Sequence, residues 1–353
     1  MLLSNALKTT RLRLLCHSTQ RHTLRQMSNS NHNEVARSTR WPVDDQVPDL
    51  TGKVALVTGA NSSGGMGFHI AYQMASKNAK VYIGARNTSK AQSAIQEMKT
   101  ENPNIGDHQL VPFVADLGDL RAVQISAQAL LDAEHKLDIL VHNAAVISMP
   151  LEMNSDGVSV SFATNHLGPF VLTNTVMPLL ENATKSTGDS RVVMVSAASF
   201  KLLPPGIRFN SLESFNAEME PTVLGGADFT RYSLSKLANI LFAKQLQKTF
   251  DATNTKGIAL ALHPGLIKTD GVVNSLQPGK ARTLDGRLTP AEGALTALFA
   301  ATNPVVVAQR ENYKGAYLVP PGSIEALTGD ANDDDLAQEL WTTSEQVVKA
   351  ILG

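Results

Sequence analysis

From residue 51 onward, short runs of apolar and β-branched residues alternate with longer stretches whose apolar positions recur at helical spacing. The short runs lie at 54–58, 80–85, 110–115, 138–142, 191–195, 258–263 and 316–319. They are apolar nearly throughout rather than strictly alternating, which suits strands buried on both faces of a parallel sheet. The helical pattern fills about 68–77, 88–99, 119–134, 157–181, 229–250 and 291–302. Strands and helices joined by short connections predict βαβ units wound on both sides of one sheet. The expected fold is Rossmann-type α/β: a doubly wound, mostly parallel seven-stranded sheet in a single domain over 51–353.

Composition narrows the possible functions. Hydrophobic residues make up 43% of the 353 and charged residues 18%, ample for a buried core. Thirty-one Lys and Arg against 32 Asp and Glu leave a net charge of −1. No global field therefore draws the chain to nucleic acid, and no nucleic-acid partner is expected. The one cysteine, Cys16, excludes an intrachain disulfide and any Cys-rich metal site. The most apolar stretch, 293–308, is interrupted by Asn303 and Pro304, so no membrane-spanning helix is expected. A homo-oligomer is compatible with the sequence.

Charge is spread unevenly. Residues 1–33 hold Lys8, Arg11, Arg13, Arg21 and Arg25, with eight Ser and Thr and spaced leucines; the first acid is Glu34. An Arg-rich, Ser-rich, acid-poor head has the composition of a mitochondrial targeting segment, the plainer reading being a basic tail on a cytoplasmic protein. Residues 34–50 read as a linker.

The first run is followed by Thr58-Gly59-Ala60-Asn61-Ser62-Ser63-Gly64-Gly65-Met66-Gly67 and then by a helical pattern. Strand, glycine-rich turn and helix suit a dinucleotide: glycines let backbone approach the diphosphate, and the helix N-terminus offers free N–H groups and a positive dipole end. Gly59, Asn61, Gly65, Met66 and Gly67 are the candidate contacts. The second run ends in Arg86 with no acid nearby. An acid there would hold a ribose 2′-hydroxyl, whereas a guanidinium matches a 2′-phosphate and points to NADP(H). The plain alternative is a solvated charge at a helix entry. Asp116, with Leu117 beside it, ends the third run at the edge that would meet adenine; its alternative role is to cap the next helix.

These motifs resemble those of the short-chain dehydrogenases/reductases, near the retinol-dehydrogenase-like and fungal carbonyl-reductase branches. The resemblance covers about residues 51–349. His142-Asn143-Ala144-Ala145 matches the segment after the fourth strand, with Ala145 in place of glycine. Asn165, in Thr164-Asn165-His166-Leu167-Gly168, matches the structural and proton-relay asparagine. Tyr232-Ser233-Leu234-Ser235-Lys236 matches the Tyr-x-x-x-Lys pair. In His263-Pro264-Gly265-Leu266-Ile267-Lys268-Thr269, the resemblance sets Ile267 and Thr269 against the nicotinamide carboxamide and the phosphates.

Tyr232 and Lys236, one helical turn apart, share a face. A free phenol, with a pKa of about 10, is a poor acid or base at neutral pH; a neighbouring ammonium is expected to lower it, so that the phenol can exchange a proton with a carbonyl or alcohol oxygen. Two features depart from the family pattern. The glycine loop carries a two-residue insertion within 61–64. The catalytic serine expected after the fifth strand is Ala197, in Ser196-Ala197-Ala198-Ser199. Ser196 is nearest in sequence, while strand alternation would turn Ser199 to the same face as residue 197.

The connections at 200–228 and 271–290 follow the carboxyl ends of the fifth and sixth strands, where such folds bind ligands. The apolar residues Leu202, Leu203, Ile207, Phe209, Leu212 and Phe215 offer either a substrate wall or ordinary loop packing. His142 and His166 read as packed neighbours of the site rather than metal ligands, and no metal is expected. The expected activity is hydride transfer between NADP(H) and a carbonyl or secondary alcohol of an apolar small molecule, with Tyr232, Lys236, Asn165 and Ser196 or Ser199 as the catalytic groups. The alternative is a weakly catalytic or non-catalytic NADP-binding protein, motivated by Ala197.

Overall fold

The computed structural model describes residues 47–222, 225–275 and 284–353. The expected targeting segment and nearly all of the expected linker lie outside them. The end of that linker is not free chain: Val47 and Leu50 are buried, and the Leu50 amide donates to the Lys77 carbonyl at 2.7 Å. The packed structure thus begins before residue 51.

The strands are β1 (Val54–Val57), β2 (Lys80–Ala85), β3 (Leu110–Val114), β4 (Ile139–His142), β5 (Ser190–Val195), β6 (Gly257–Leu262), β7 (Tyr317–Val319) and β8 (Ser323–Ile324). They form one sheet in the order β3-β2-β1-β4-β5-β6-β7-β8, parallel except for β8. Seven match the expectation. The two-residue β8 is an addition that turns back antiparallel on β7, too short to carry a pattern of its own. Sequence order reverses between β1 and β4, which opens the crevice where ligands of such sheets bind. At the opposite edge the buried Asp138 accepts from the Val54 amide and pairs with Lys53 and Lys136, both at 3.0 Å, tying β1 to β4.

The helices are α1 (Met66–Ser76), α2 (Thr88–Glu101), α3 (Leu120–Ala133), α4 (Val160–Phe162), α5 (Gly168–Thr175), α6 (Met177–Thr187), α7 (Leu212–Phe215), α8 (Ala227–Ala252), α9 (Asp270–Ser275), α10 (Pro290–Thr302), α11 (Pro304–Ala308), α12 (Arg310–Tyr313) and α13 (Asp334–Leu352). The single helix expected over 157–181 is broken. Ala163–Leu167 forms a π turn between α4 and α5, and Val176 separates α5 from α6, with prolines at the start of each. Such wide turns gather at functional sites. The apolar stretch Pro290–Ala308, with a mean hydropathy of 1.3, is long enough to cross a membrane by composition alone, yet it is divided at Asn303 between α10 and α11, and 56% of it is buried in the fold.

α3, α5, α8 and α13 cover one face of the sheet, with their apolar sides in one continuous core. α13, which the sequence reading left out, places Leu336, Ala337, Leu340 and Trp341 in that core. The Trp341 ring stacks on Phe242 of α8 at 5.7 Å and meets Phe170 of α5 edge-on at 5.0 Å. Phe209 and Phe215 also belong to this core; Phe215 stacks on Phe162 at 4.4 Å. The connection that holds them is fastened to the C-terminal region, since the Ile207 amide donates to Asp330 and Arg208 pairs with Glu339. For these two rings ordinary packing, not a substrate wall, is what the structure shows.

Candidate active site

Two sets of residues meet along the carboxyl edge of the sheet. The first is a cradle of bare backbone. Gly59 has φ +68°, and a Cβ there would lie 2.9 Å from the Ala144 Cα. On Gly67 a Cβ would fall 2.4 Å from both Asn143 Nδ2 and the Gly59 carbonyl. Only glycine fits either place. Asn143 locks them together: its side-chain amide donates to the carbonyls of Thr58 at 2.9 Å and Gly59 at 3.2 Å, while its backbone amide donates to the Thr58 hydroxyl at 3.0 Å. Thr58, which the sequence reading passed over, is thus the post for both β1 and the loop after β4. α1 opens at Gly65 with no side-chain cap and no acid in its first turn, so its N-terminal amides face the loop uncapped by a side chain. A diphosphate fits that arrangement of bare backbone and positive helix end.

Arg86 is exposed just beyond β2. Asp116 is exposed beyond β3, where its carboxylate accepts the Gly118 amide at 2.9 Å. It does not cap α3; Asp119 does, accepting from the amides of Arg121 and Ala122. Leu117 and Ile267 are buried beside the same edge. The Thr269 hydroxyl accepts the Val272 amide at 3.3 Å. In the lengthened glycine loop, Ser62 and Gly64 meet Asp270 at the start of α9. Asn61 and Met66 lie in the same loop and at the first position of α1.

The second set is made of side chains. Tyr232 and Lys236 share one face of α8, with the Lys236 ammonium 5.5 Å from the centre of the Tyr232 ring. Lys236 is 2% exposed and donates to the Val195 carbonyl at 2.8 Å. Burial pulls its pKa down to about 7. The Tyr232 phenol is moved the opposite way from the sequence expectation: burial pushes it above the ordinary phenol range. Desolvation of the phenol is the dominant influence on it here, and the buried ammonium does not offset it.

Asn165 sits in the π turn. Its side chain accepts the Val146 amide at 2.8 Å and donates to the Val146 carbonyl and to the Ser235 hydroxyl at 2.9 Å. Ser235 in turn donates to the Tyr232 carbonyl. Asn165 therefore positions the turn of α8 that carries the tyrosine. Ser235 and Asn239, which donates to the Asn165 carbonyl, were missed; both lie one helical turn or less from the Tyr/Lys pair, on the same helix.

The serines divide differently from the expectation. The Ser196 hydroxyl donates to the Lys236 carbonyl at 2.7 Å, so it braces α8 against the end of β5 and is not free for substrate. β5 stops at Val195 and Ala198–Leu202 is a 3-10 turn, so strand alternation does not extend to Ser199. Even so, the Ser199 hydroxyl is buried without a hydrogen-bond partner among the described residues, as is the Tyr317 phenol, whose ring meets Phe200 edge-on at 5.5 Å. Tyr317 lay in an expected strand, but nothing in its run marked its phenol as an unpaired polar group in the core. His142 and His166 are fixed in the core by Thr173 and Ser344, each at 2.8 Å, and burial holds both near pKa 3.

Residues 53–206 match the family profile described as short chain dehydrogenase. A short-chain dehydrogenase/reductase of Armillaria gallica is 39% identical over 322 residues, covering 89% of this chain and 98% of its own. The chain belongs to the short-chain dehydrogenase/reductase family. It is also 35% identical over 313 residues to retinol dehydrogenase 14 of Mus musculus, covering 85% of this chain and 86% of the other. A solved short-chain dehydrogenase from Shigella flexneri, complexed with NADP, superposes with a TM-score of 0.57 at 20% identity, covering 76% of this chain and 97% of the other, a likeness of fold alone. As a family member the protein is an oxidoreductase, and the family binds NAD(P).

Proposed function

We propose that the protein uses NADP(H) to interconvert a carbonyl and a secondary alcohol on an apolar small molecule, with Tyr232 moving the proton. The observation that carries this reading is the Tyr232 phenol held over a buried Lys236 on a helix seated against the end of β5. A bound nicotinamide supplies or takes the hydride. Tyr232 then gives its proton to the substrate oxygen in reduction, or takes one in oxidation. Lys236, on the same helix face, would favour the phenolate when its amine is protonated. Arg86, with no acid beside it after β2, supports a 2′-phosphorylated cofactor. Exposed Met153, Leu266 and Val273, on connections following β4 and β6, support an apolar substrate.

The test is Tyr232→Phe. Turnover with a panel of carbonyl compounds is expected to fall by about 10³ or more, while the variant, like the unaltered protein, still binds NADPH more tightly than NADH. Retained turnover, or equal affinity for the two cofactors, overturns the corresponding part of the reading.

A second reading has its own support. With Ala197 at the serine position and the Ser196 hydroxyl engaged by Lys236, the protein would bind NADP(H) with little turnover. Absence of turnover across the panel despite tight NADPH binding would favour it. We also infer that residues 1–33 direct the protein to mitochondria, supported by their basic, acid-free composition; a fluorescent fusion that stays cytosolic would overturn this.

A further inference from the structure

The lengthened glycine loop has a partner on the far side of the crevice. The Ser62 hydroxyl donates to Asp270 Oδ2 at 2.9 Å, and the Asp270 amide donates to the Gly64 carbonyl at 2.9 Å. A Cβ on Gly64 would fall 2.1 Å from Asp270 Oδ2 and 2.2 Å from Oδ1, so the carboxylate lies directly on the uncovered backbone of the loop. The next residue, Gly65, opens α1, whose first turn holds no acid and whose N-cap makes no side-chain bond. The carboxylate is therefore an anion brought by the segment after β6 to a loop that leads into a positive helix end. Both of its contacts on the loop, Ser62 and Gly64, fall within the lengthened stretch 61–64.

We propose that Asp270 is a cofactor-affinity determinant: an internal anion that occupies the rim of the diphosphate seat and must yield to the dinucleotide. This rests on the reading above that a dinucleotide occupies the glycine loop. A diphosphate drawn to the α1 amides meets like charge at Asp270. Binding then includes the work of parting the carboxylate from Ser62, or of tolerating it nearby. Because Asp270 is exposed, that repulsion is screened by salt. Its size is set by distance from the diphosphate and is small at the adenosine end of the cofactor.

The experiment compares the full chain with Asp270→Asn, which keeps the shape and removes the charge, and with Asp270→Ala, which removes both. NADPH binding is followed by its fluorescence at low and at high salt. Both variants are expected to bind NADPH on the order of tenfold more tightly at low salt, with the gain shrinking as salt is raised. Adenosine 2′-monophosphate, which lacks the diphosphate, is expected to bind the unaltered protein and the variants equally. Unchanged NADPH affinity in the variants would overturn the proposal, because the carboxylate would then be irrelevant to the diphosphate. Weaker NADPH binding would overturn it in the other direction, making Asp270 a clasp that retains the cofactor. A general gain for both ligands would overturn it as well, by placing the effect away from the diphosphate. If the unaltered protein binds neither NADPH nor NADH, the dinucleotide reading itself fails, and this proposal with it.

Discussion

The nucleotide end of the crevice and its reactive end are built by opposite means. Around β1 and β4 the working surface is backbone left bare, with Gly59 packed so closely on Ala144, and Gly67 on Asn143, that one carbon more would collide. Around β5 and α8 it is made of functional groups: a phenol, a buried ammonium and a hydroxyl without a partner among the described residues. The first region depends on atoms that are absent and the second on atoms that are present. They should therefore fail in opposite ways, the one to added bulk and the other to truncation.

The largest effect that can break this contrast comes from Gly67→Ala. The new methyl would meet Asn143 Nδ2 and the Gly59 carbonyl, both at 2.4 Å, and a carbonyl fixed at the end of β1 yields little. Dinucleotide affinity, measured by titration, is expected to fall about 10³-fold, with a stability loss of about 1–3 kcal/mol in thermal melts. Unchanged affinity would show that the cradle tolerates bulk.

Ser199→Ala sharpens the other side. If its unpaired hydroxyl supplies the donor that Ala197 lacks, turnover should fall on the order of 10²-fold while NADPH binding stays the same. No loss would favour the weakly catalytic reading.

The smallest effect concerns stability and pH. Burial holds Lys236 near pKa 7 against an ordinary value of 10.5, so between those values the unfolded chain binds more protons at this site than the folded one. The destabilisation it causes is full below pH 7 and fades as pH rises toward 10.5. Chemical denaturation of the unaltered protein minus that of Lys236→Met should show this rise with pH, and Lys236→Met should be inactive although no less stable near pH 7. A difference that is flat with pH would mean that the folded lysine keeps its full charge.

The same contrast explains what could be read from the sequence. The glycine loop and the Tyr/Lys pair were legible because each is local: a turn between strand and helix, and a one-turn spacing on a helix. The seven longer strands were legible from their apolar runs. The role of Ser196 was not, because the Lys236 carbonyl that takes its hydroxyl is 40 residues away. The π turn at Asn165 is held by Val146 and by Ser235, 70 residues on, and no periodicity in 157–181 encodes those partners. Asp270 on the glycine loop spans 208 residues. α13 is a different matter. Leu336, Ala337, Leu340, Trp341, Ser344 and Val347 recur at helical spacing behind an Asp333 cap, so the signal was present in the chain and went unread.

That overlooked helix makes the protein report on itself. The chain has two tryptophans, Trp41 and Trp341, and only the second lies among the described residues. Trp341 stacks on Phe242, nearly three helical turns along α8 from Tyr232, and its indole N–H donates to Glu345 at 2.8 Å. Emission from Trp341, isolated by Trp41→Phe, reads the seating of α8 from behind. A change in that seating when ligand enters the crevice would therefore be visible as light, without any label on the reactive face.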